Sequence, residues 1–330
     1  MGQYNDGRQT DRQTDRQTDR QDKTLTIVSV TGHQDYAEGS VYAILRSYEE
    51  LQKKFPVDNL SCLLVCPTRP ENLPEYVRHI ACKPFSYLEY NVFVLYSLDD
   101  LIETDFALIV QNDGFVLNGN NWREEFLEYD YIGAPLLYMG RAKENGVIEP
   151  IVNWEGCLPY YKSVPDDVFI GQNGGFSLRS KKLLGMPRKL DMNVLISHPK
   201  KLEMGRQPVA LEYDDPNHNE DIILTIIYRK LLESQGIQFA PPKIAAYFAG
   251  ESVDAIHSTL GVSLDDVFGV HTFGCLVLTH KNALYMQKKM WFYGIDICTN
   301  ILCKWLNDSG LSIEVPYHFF PQEELEKAGW

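Results

Sequence analysis

The chain has 330 residues, with 31 Lys and Arg against 45 Asp and Glu, a net charge of −14 and 44% hydrophobic residues. This length and apolar content suit one large α/β domain or two small ones. The acidic balance argues against a nucleic-acid-binding protein, because affinity for phosphate backbones comes from clustered Lys and Arg. No apolar run is long enough to cross a bilayer and no secretory signal begins the sequence, so we expect a cytoplasmic protein.

The first segment is a repeat. Residues 8–22 cycle through Arg-Gln-Thr-Asp without an aliphatic or aromatic side chain, so residues 1–22 are predicted to be a disordered tail. A repeated tetranucleotide such as CAGA encodes this cycle in every reading frame, and the gain or loss of one unit shifts the downstream frame. We therefore hypothesise phase-variable expression, which host-associated bacteria use mainly for genes that alter surface glycans, adhesins and restriction systems. An incidental low-complexity leader is the alternative, and mixed codons in the repeat would support it.

From residue 23 onward, apolar runs alternate with helical patterns, which predicts an α/β domain. The predicted strands are 24–30, 61–66, 106–110, 131–134, 168–170 and 176–178, and the predicted helices are 38–54, 98–104 and 221–232. No linker rich in Pro, Gly or Ser divides this region. Residues 23–280 are therefore predicted to form one domain, followed by a helical C-terminal extension over residues 281–330.

The seven cysteines lie in apolar contexts and include no pair of CxxC units. An odd number without such units argues against a disulfide framework and against a zinc site. We predict that they are reduced core residues.

Two polar segments that contain glycine are candidates for a site. Gln111-Asn112-Asp113-Gly114 follows the apolar run 106–110, and ligands bind beyond the carboxyl ends of strands in open parallel sheets. Asp113 could hold a divalent cation there, or the segment could be an ordinary turn. In Asn173-Gly174-Gly175, the glycines interrupt a strand-like run and would let a substrate approach the backbone. Arg179 could meet a phosphate, although a glycine hairpin with a surface Arg fits equally well.

Two further candidates lie later in the chain. Glu220 and Asp221 open the predicted helix 221–232, where the helix dipole favours ionised carboxylates. An ionised carboxylate at a cleft is suited to act as general base for a sugar hydroxyl, and helix capping is the alternative role. His271 lies between apolar neighbours and would be either a ligand to the same metal as Asp113 or a satisfied core histidine.

Five segments, taken in this order and spacing, carry a resemblance to a known family: FALIVQNDGFVL, EFLEYDYIGAPL, VFIGQNGGFSLRSKKLL, NEDIILTIIYRKLLESQGIQFAPPKIAAYF and FGVHTF. They resemble a bacterial family of glycosyltransferase-like proteins of unassigned function from polysaccharide and lipopolysaccharide gene clusters. The resemblance implies a GT-A-like fold, a Rossmann-like, mostly parallel central sheet flanked by helices. It also implies a divalent cation, Mn²⁺ or Mg²⁺, that is held by an Asp-X-Asp motif and binds a nucleotide-sugar donor.

The resemblance assigns roles residue by residue. Gln111 replaces the first aspartate of the motif, so Asp113 alone maps onto the usual metal ligand, with His271 matching a distant histidine ligand. Glu220-Asp221 resembles the acidic pair of inverting members, in which the second residue acts as base and the first would orient the acceptor or cap the helix. The residues expected to contact the donor, the first three of them from topology, are Thr31, Gly32, His33, Gln111, Asn112, Asn173, Gly174, Gly175 and Arg179.

The function implied is the transfer of a sugar to a cell-surface glycan or lipid-linked glycan, lipopolysaccharide above all. One alternative is a sugar-phosphate nucleotidyltransferase, which normally needs a basic Gly-rich loop after the first strand, whereas residues 31–39 contain no Lys or Arg. Another is a catalytically silent nucleotide-sugar-binding assembly protein, which the incomplete Asp-X-Asp motif favours. Residues 281–330 would either pack on the catalytic domain or lie against the inner membrane.

Overall fold

The computed structural model describes residues 23–143, 148–151, 154–194, 196–198, 216–251, 253–272, 276–279, 283–286 and 304–314. The predicted tail, residues 1–22, and most of the predicted extension, residues 281–330, lie outside these ranges. The predictions made for the repeat and for most of the aromatic C-terminal stretch are therefore not addressed by the fold.

The strands up to residue 272 build two sheets. They are β1 Leu25–Val30, β2 Leu60–Cys66, β3 Val77–Ala81, β4 Phe106–Ile109, β5 Gly114–Val116, β6 Tyr131–Ala142, β7 Ile148–Ile151, β8 Val168–Ser180, β9 Ala249–Gly250 and β10 Gly269–His271. Seven of them form the central sheet in the order β3-β2-β1-β4-β8-β6-β7. β1 to β4 are parallel, whereas β8 is antiparallel to β4 and β6, and β7 is antiparallel to β6. Five of these seven strands consequently point in one direction.

Helices cover both faces of this sheet because its central strands are apolar on both sides. Every residue of β1 and β4 is buried. Helix α1, Ala37–Leu51, packs its buried Ile44 and Leu51 into the core on one face, and α2, Tyr87–Tyr96, packs Val94 on the other. The predicted α/β, GT-A-like architecture is thereby confirmed.

The remaining helices are shorter, and none of the helices described is long and apolar enough to cross a membrane. They are α3 Trp154–Lys162, α4 Lys181–Leu184, α5 Met186–Lys189, α6 Glu220–Ile222, α7 Arg229–Ser234, α8 Pro242–Phe248 and α9 Val253–Leu260. A π-helical turn, Ile223–Ile227, separates α6 from α7, so the predicted continuous helix 221–232 is broken. Gly236 follows α7 with a positive φ of 75°, a conformation in which glycine commonly ends a helix.

The prediction of separate strands at 168–170 and 176–178 is wrong. β8 runs without a break over 13 residues, all of them buried, and includes the adjacent glycines Gly174 and Gly175. The irregularity lies instead in the neighbouring strand β6, whose register against β8 shifts between Gly133 and Pro135 and again between Pro135 and Met139.

The last described residues add three strands, two of them, at 283–286 and 313–314, in the region 281–330 for which only helices were predicted, and one, at 276–279, at the end of the predicted domain. β11 Leu276–Thr279, β12 Ala283–Met286 and β13 Ile313–Glu314 form a three-stranded sheet, and residues 304–308 are helical. Trp305 is 4% exposed and donates its indole N–H to the Leu264 carbonyl oxygen at 3.1 Å. This part of the C-terminal region packs on the main core, which is one of the two alternatives considered for it.

Candidate functional site

The second sheet brings two distant predicted ligands together. β5 begins directly after Asp113, and β10 pairs with it antiparallel so that His271 lies opposite Gly114. The Thr272 N–H donates to the Asp113 carbonyl oxygen at 2.8 Å and fixes the end of this pairing. The His271 Nε2 atom consequently lies 3.6 Å from the Asp113 Oδ2 atom at the carboxyl edge of the central sheet.

The other ring nitrogen of His271 faces a second carboxylate. His271 Nδ1 lies 3.3 Å from Glu251 Oε1, and the Glu251 side chain is fully buried. Burial would lower the pKa of His271, but the charge of Asp113 and the hydrogen bond to Glu251 outweigh it and raise the pKa to about 9. The imidazole therefore lies in a pocket of negative potential, between two carboxylates that both favour a positive charge.

Sequence reasoning missed Glu251. The residue directly follows β9, a strand of two residues that is too short to produce a periodic pattern. The available signal was an acidic residue after an apolar run that ends in Ala-Gly, similar to the polar segment that follows β4. Because that signal is also typical of ordinary turns, the sequence alone does not single Glu251 out.

Arg179 and Glu220 form a buried ion pair. Arg179 Nη1 lies 2.7 Å from Glu220 Oε2, and Nη2 donates to Glu220 Oε1 at 2.8 Å. The two side chains are 1% and 4% exposed, and the guanidinium also lies 4.9 Å from the ring centroid of Tyr131. The prediction that Arg179 meets a phosphate is therefore wrong, because its charge is neutralised inside the core. Glu220 is likewise committed to Arg179 rather than to an acceptor.

Asp221, the next residue, is half-buried and differs from Glu220 in its partners. Its Oδ2 accepts the Gly174 N–H at 3.0 Å and its Oδ1 accepts the Ile222 N–H at 2.7 Å, so backbone groups hold it without a neutralising cation. Burial and the negative charge of Glu220 raise the pKa of Asp221 to about 7. A carboxyl group that titrates near neutrality is matched to general base catalysis at neutral pH.

The glycine pair serves the protein's own side chains. A Cβ atom on Gly174 would lie 2.1 Å from Glu220 Oε1, and one on Gly175 would lie 2.4 Å from His271 Nε2. Both glycines are buried within β8. The prediction that they let a substrate approach the backbone is corrected here, since their missing side chains leave room for the charged groups of the site.

The tip of β1 offers fewer donor contacts than predicted. Thr31 and Gly32 are buried, and a Cβ on Gly32 would lie 2.3 Å from the Phe85 carbonyl oxygen. His33 is exposed, and its ring makes an edge contact with Tyr36 at a centroid distance of 5.9 Å. Because Tyr36 is 48% exposed, this aromatic pair is the part of the tip that is available to a ligand.

The three polar residues expected at the donor have different environments. Gln111 is half-buried; its Nε2 donates to the Tyr90 hydroxyl at 2.8 Å and its Oε1 lies 3.4 Å from His271 Nε2. Asn112 is half-buried against Gly39 of α1. Asn173 is buried, and its amide donates to Glu251 Oε1 at 3.3 Å, so it supports the site from within rather than facing a ligand.

The residues present fit one divalent cation held partly by its substrate. Asp113 Oδ2 and His271 Nε2 converge, and a buried carboxylate faces the other nitrogen of the imidazole, which is the usual arrangement around a metal-binding histidine. Within the described residues no group of three or more His, Cys, Asp or Glu side chains could hold a metal ion. Two ligands from the protein would leave room for oxygens of a diphosphate and for water.

The fold and the site define a GT-A-like α/β protein with an Asp-His pair at the carboxyl edge of its sheet. Residues 84–271, more than half of the chain, match the family described as "Protein of unknown function (DUF5672)", and the chain belongs to that family. No curated protein matches its sequence.

Two solved structures are similar to the chain at low identity. One is the mannose-1-phosphate geranyltransferase from Thermus thermophilus, with 13% identity and a TM-score of 0.30 over 51% of this chain and 60% of that one. The other is the glycosyltransferase GlyE in Streptococcus pneumoniae TIGR4, with 12% identity and a TM-score of 0.35 over 87% of this chain and 62% of that one. The chain spans less than two thirds of the length of either, and similarity at this level does not bear on function.

Proposed function

We propose that the protein is a cation-dependent glycosyltransferase that moves a sugar from a nucleotide sugar to an acceptor hydroxyl with inversion. The observation that carries the proposal is the approach of Asp113 and His271 to 3.6 Å at the carboxyl edge of the sheet. Asp221, a half-buried carboxylate with a pKa near neutrality, supplies the base that the same reaction needs.

The charges of the site explain why such a reaction would need a cation. Asp113, Asp221 and Glu251 all act electrostatically on His271, and the charge of Arg179 is neutralised by Glu220. A nucleoside diphosphate is an anion, and carboxylates this close would repel it unless a divalent cation intervened. Asp113 and His271 would hold that cation, which supplies a Lewis acid for the negative charge that develops on the leaving diphosphate.

Asp221 would act on the acceptor. As the acceptor oxygen forms its bond to the anomeric carbon, the bond from that carbon to the diphosphate oxygen breaks and the hydroxyl proton passes to Asp221 Oδ1 or Oδ2. The two backbone N–H groups that bond to this carboxylate orient it for the transfer. Glu220 would not take part in the proton transfer, because both of its carboxylate oxygens face the Arg179 guanidinium in the core.

The nucleotide would lie against the tip of β1. His33 and Tyr36 form the exposed aromatic pair there, and stacking on an aromatic ring suits any nucleobase. His33 would then contact the nucleotide-sugar donor, as predicted from the sequence, and Tyr36 would be a further contact.

The acceptor we propose is a cell-surface glycan or its lipid-linked precursor, with lipopolysaccharide as the first candidate. The five-segment resemblance and the frame-shifting repeat of residues 8–22 support this choice. Because Trp305 and its described neighbours pack on the main core, only the other residues of 281–330 would be available to bring the enzyme to the cytoplasmic face of the inner membrane. An uninterrupted CAGA repeat in the gene would support phase-variable expression.

The first test is a thermal-shift screen of nucleotide sugars with and without Mn²⁺, because ligands that bind the native state raise apparent stability. We expect one nucleotide sugar to raise Tm only when Mn²⁺ is present, and release of its nucleoside diphosphate to follow when a glycan acceptor is added. Asp113→Asn should lose both effects, while Asp266→Asn, at an exposed position, should keep them. Cation-independent turnover would overturn the proposal.

A second candidate is a nucleotide-sugar-binding protein without turnover. This second candidate is favoured by Gln111, which replaces the first aspartate of the Asp-X-Asp motif. The Gln111 amide donates a hydrogen bond to the Tyr90 hydroxyl. Tight binding of a nucleotide sugar without consumption of the donor, in the presence of Mn²⁺ and a panel of acceptors, would favour this candidate over the first.

A further inference from the structure

Glu251 is a charged side chain in the core of the site that no assignment above uses. It is fully buried, and its Oε1 receives hydrogen bonds from two sides, from His271 Nδ1 at 3.3 Å and from Asn173 Nδ2 at 3.3 Å. Its Oε2 makes no hydrogen bond to the residues that the structure describes. A buried carboxylate that is only half satisfied costs stability, so its presence calls for a functional reason.

We infer that Glu251 is a positioning residue for the cation site, acting through His271. The inference deepens the proposed function and rests on the cation that it includes. By accepting the hydrogen bond from Nδ1–H, Glu251 keeps a proton on that nitrogen, so that a cation which displaces the proton of Nε2 would meet the Nε2 lone pair; the same bond fixes the plane of the ring. Nε2 is the nitrogen that lies beside Asp113 Oδ2.

The geometry separates this role from that of a direct ligand. The two nitrogens of an imidazole point to opposite sides of the ring, and Glu251 lies at Nδ1 whereas Asp113 lies at Nε2. An ion held by Nε2 and Asp113 is therefore out of reach of the Glu251 carboxylate. Asn173, whose Oδ1 also accepts the Phe176 N–H at 3.1 Å, ties Glu251 to strand β8 and keeps it at Nδ1.

The test is a double-mutant cycle on Mn²⁺ affinity, measured in the full chain by electron paramagnetic resonance with and without a nucleoside diphosphate. Glu251→Gln keeps the size of the side chain and removes its charge, and we expect it to weaken Mn²⁺ binding about 10- to 100-fold. His271→Asn should weaken binding as well, and adding Glu251→Gln to His271→Asn should cause no further loss, because the effect of Glu251 passes through the ring. Glu71→Gln, an exposed matched control, should leave the affinity unchanged.

A second readout uses no metal. In protein labelled with ¹⁵N-histidine, Glu251→Gln should change the ring-nitrogen shifts of His271, whose signal is the one lost in His271→Asn. Unchanged shifts, or unchanged Mn²⁺ affinity in Glu251→Gln, would overturn the inference alone. Additive losses in the double variant would also overturn it, because they would make Glu251 independent of His271.

Failure of the proposed function gives a different pattern. If the wild-type chain binds no Mn²⁺ either with or without a nucleoside diphosphate, both the cation-dependent reaction and the role of Glu251 are wrong. If Mn²⁺ binds and depends on Glu251 through His271, yet no nucleotide sugar is consumed, the positioning role holds and the transferase proposal fails. Circular dichroism and Tm of each variant report whether a loss of binding reflects unfolding.

Discussion

Two groups of charged residues meet strand β8, and they differ in how their charges are balanced. Arg179 and Glu220 form a two-pronged ion pair that is 1% and 4% exposed. The second group, Asp113, His271 and Glu251, has two carboxylates on one imidazole. Among the residues that the structure describes, the first group balances one positive charge with one negative charge, whereas the second has more carboxylates than cationic side chains.

This difference separates structural from functional charge. A saturated buried pair leaves no capacity for a ligand, and breaking it leaves an uncompensated charge in the core. A group with excess negative charge has capacity for a cation, and removing one of its carboxylates relieves repulsion. We therefore expect changes in the first group to reduce stability and changes in the second to reduce binding and turnover.

Asp113→Asn should have the largest effect on turnover, a loss of about 10³-fold, because it removes an anionic ligand of the cation that stabilises the leaving group. The measurement is release of nucleoside diphosphate in the presence of Mn²⁺. The chain should remain folded, with a Tm within a few degrees of the wild type. Wild-type turnover in this variant would show that the unbalanced group is not the catalytic one.

Asp221→Asn should lower kcat about 10²- to 10³-fold by removing the base, with a smaller change in the KM for the donor. In the wild type, activity should rise with pH through about 7 as Asp221 ionises, in line with its raised pKa. A bound cation would move this limb to lower pH. A kcat that does not fall at any acidic pH at which the chain stays folded would exclude Asp221 as the base.

The same variant gives a stability test with a defined sign. Because the pKa of Asp221 is raised in the fold to about 7, its stabilising contribution is present below its unfolded value and is lost as pH rises through about 7. Asp221→Asn should therefore gain stability relative to the wild type at pH 8 but not at pH 4. We expect about 1–3 kcal/mol, below the ~4 kcal/mol that the full shift would imply, since the side chain is half-buried. Urea unfolding at both pH values measures it.

Arg179→Met should destabilise the fold by about 3–5 kcal/mol, because Glu220 would remain charged and unpaired in the core. The double variant Arg179→Met with Glu220→Leu should recover much of this loss, since no buried charge remains. Chemical denaturation of the two variants and of Glu220→Leu completes the cycle. If Arg179→Met keeps wild-type stability but loses donor binding, the ion pair is functional and the comparison fails.

Gly175→Ala tests the packing between the two groups. Its Cβ would lie 2.4 Å from His271 Nε2 and 2.5 Å from Gln111 Oε1, so it should displace the imidazole and weaken Mn²⁺ binding about tenfold. Gly185→Ala is the control, because the nearest atom to its Cβ would lie 3.6 Å away. Equal Mn²⁺ affinity in the two variants would show that the room at Gly175 is not needed by the site.

Tyr36→Ala should have the smallest effect, a several-fold rise in the Kd for the nucleotide, equivalent to about 1 kcal/mol of lost stacking. Tyr76→Ala is a matched control, because Tyr76 is 55% exposed and precedes β3, at the opposite edge of the parallel strands. Equal nucleotide affinity in both variants would show that the nucleotide does not bind at the tip of β1.

The sequence by itself determined the α/β class and most of the central strands. The runs at β1, β2 and β4 are mostly apolar because helices cover both faces of the sheet there, and this signal is local. The sequence also identified Asp113, His271 and Asp221 as candidate site residues, because polar residues at the ends of strands and helices can be recognised in a single sequence. Of the cysteines that the structure describes, Cys62, Cys66 and Cys157 are buried as predicted, whereas Cys82 is only half-buried.

Only the tertiary structure decided how these residues combine. Whether Arg179 met a phosphate or a carboxylate depended on where Glu220 would lie, and the partners come from different elements. The glycine pair could leave room either for a substrate or for neighbouring side chains. The contacts across β8 show that it leaves room for the side chains of Glu220 and His271. Glu251 follows a strand of two residues, and its contact with His271 arises from the pairing of β9 with β10. A local stretch of sequence indicates the secondary-structure propensity of its residues and whether they are buried. Which charged side chains contact each other depends on long-range strand pairing, and no local pattern encodes that pairing.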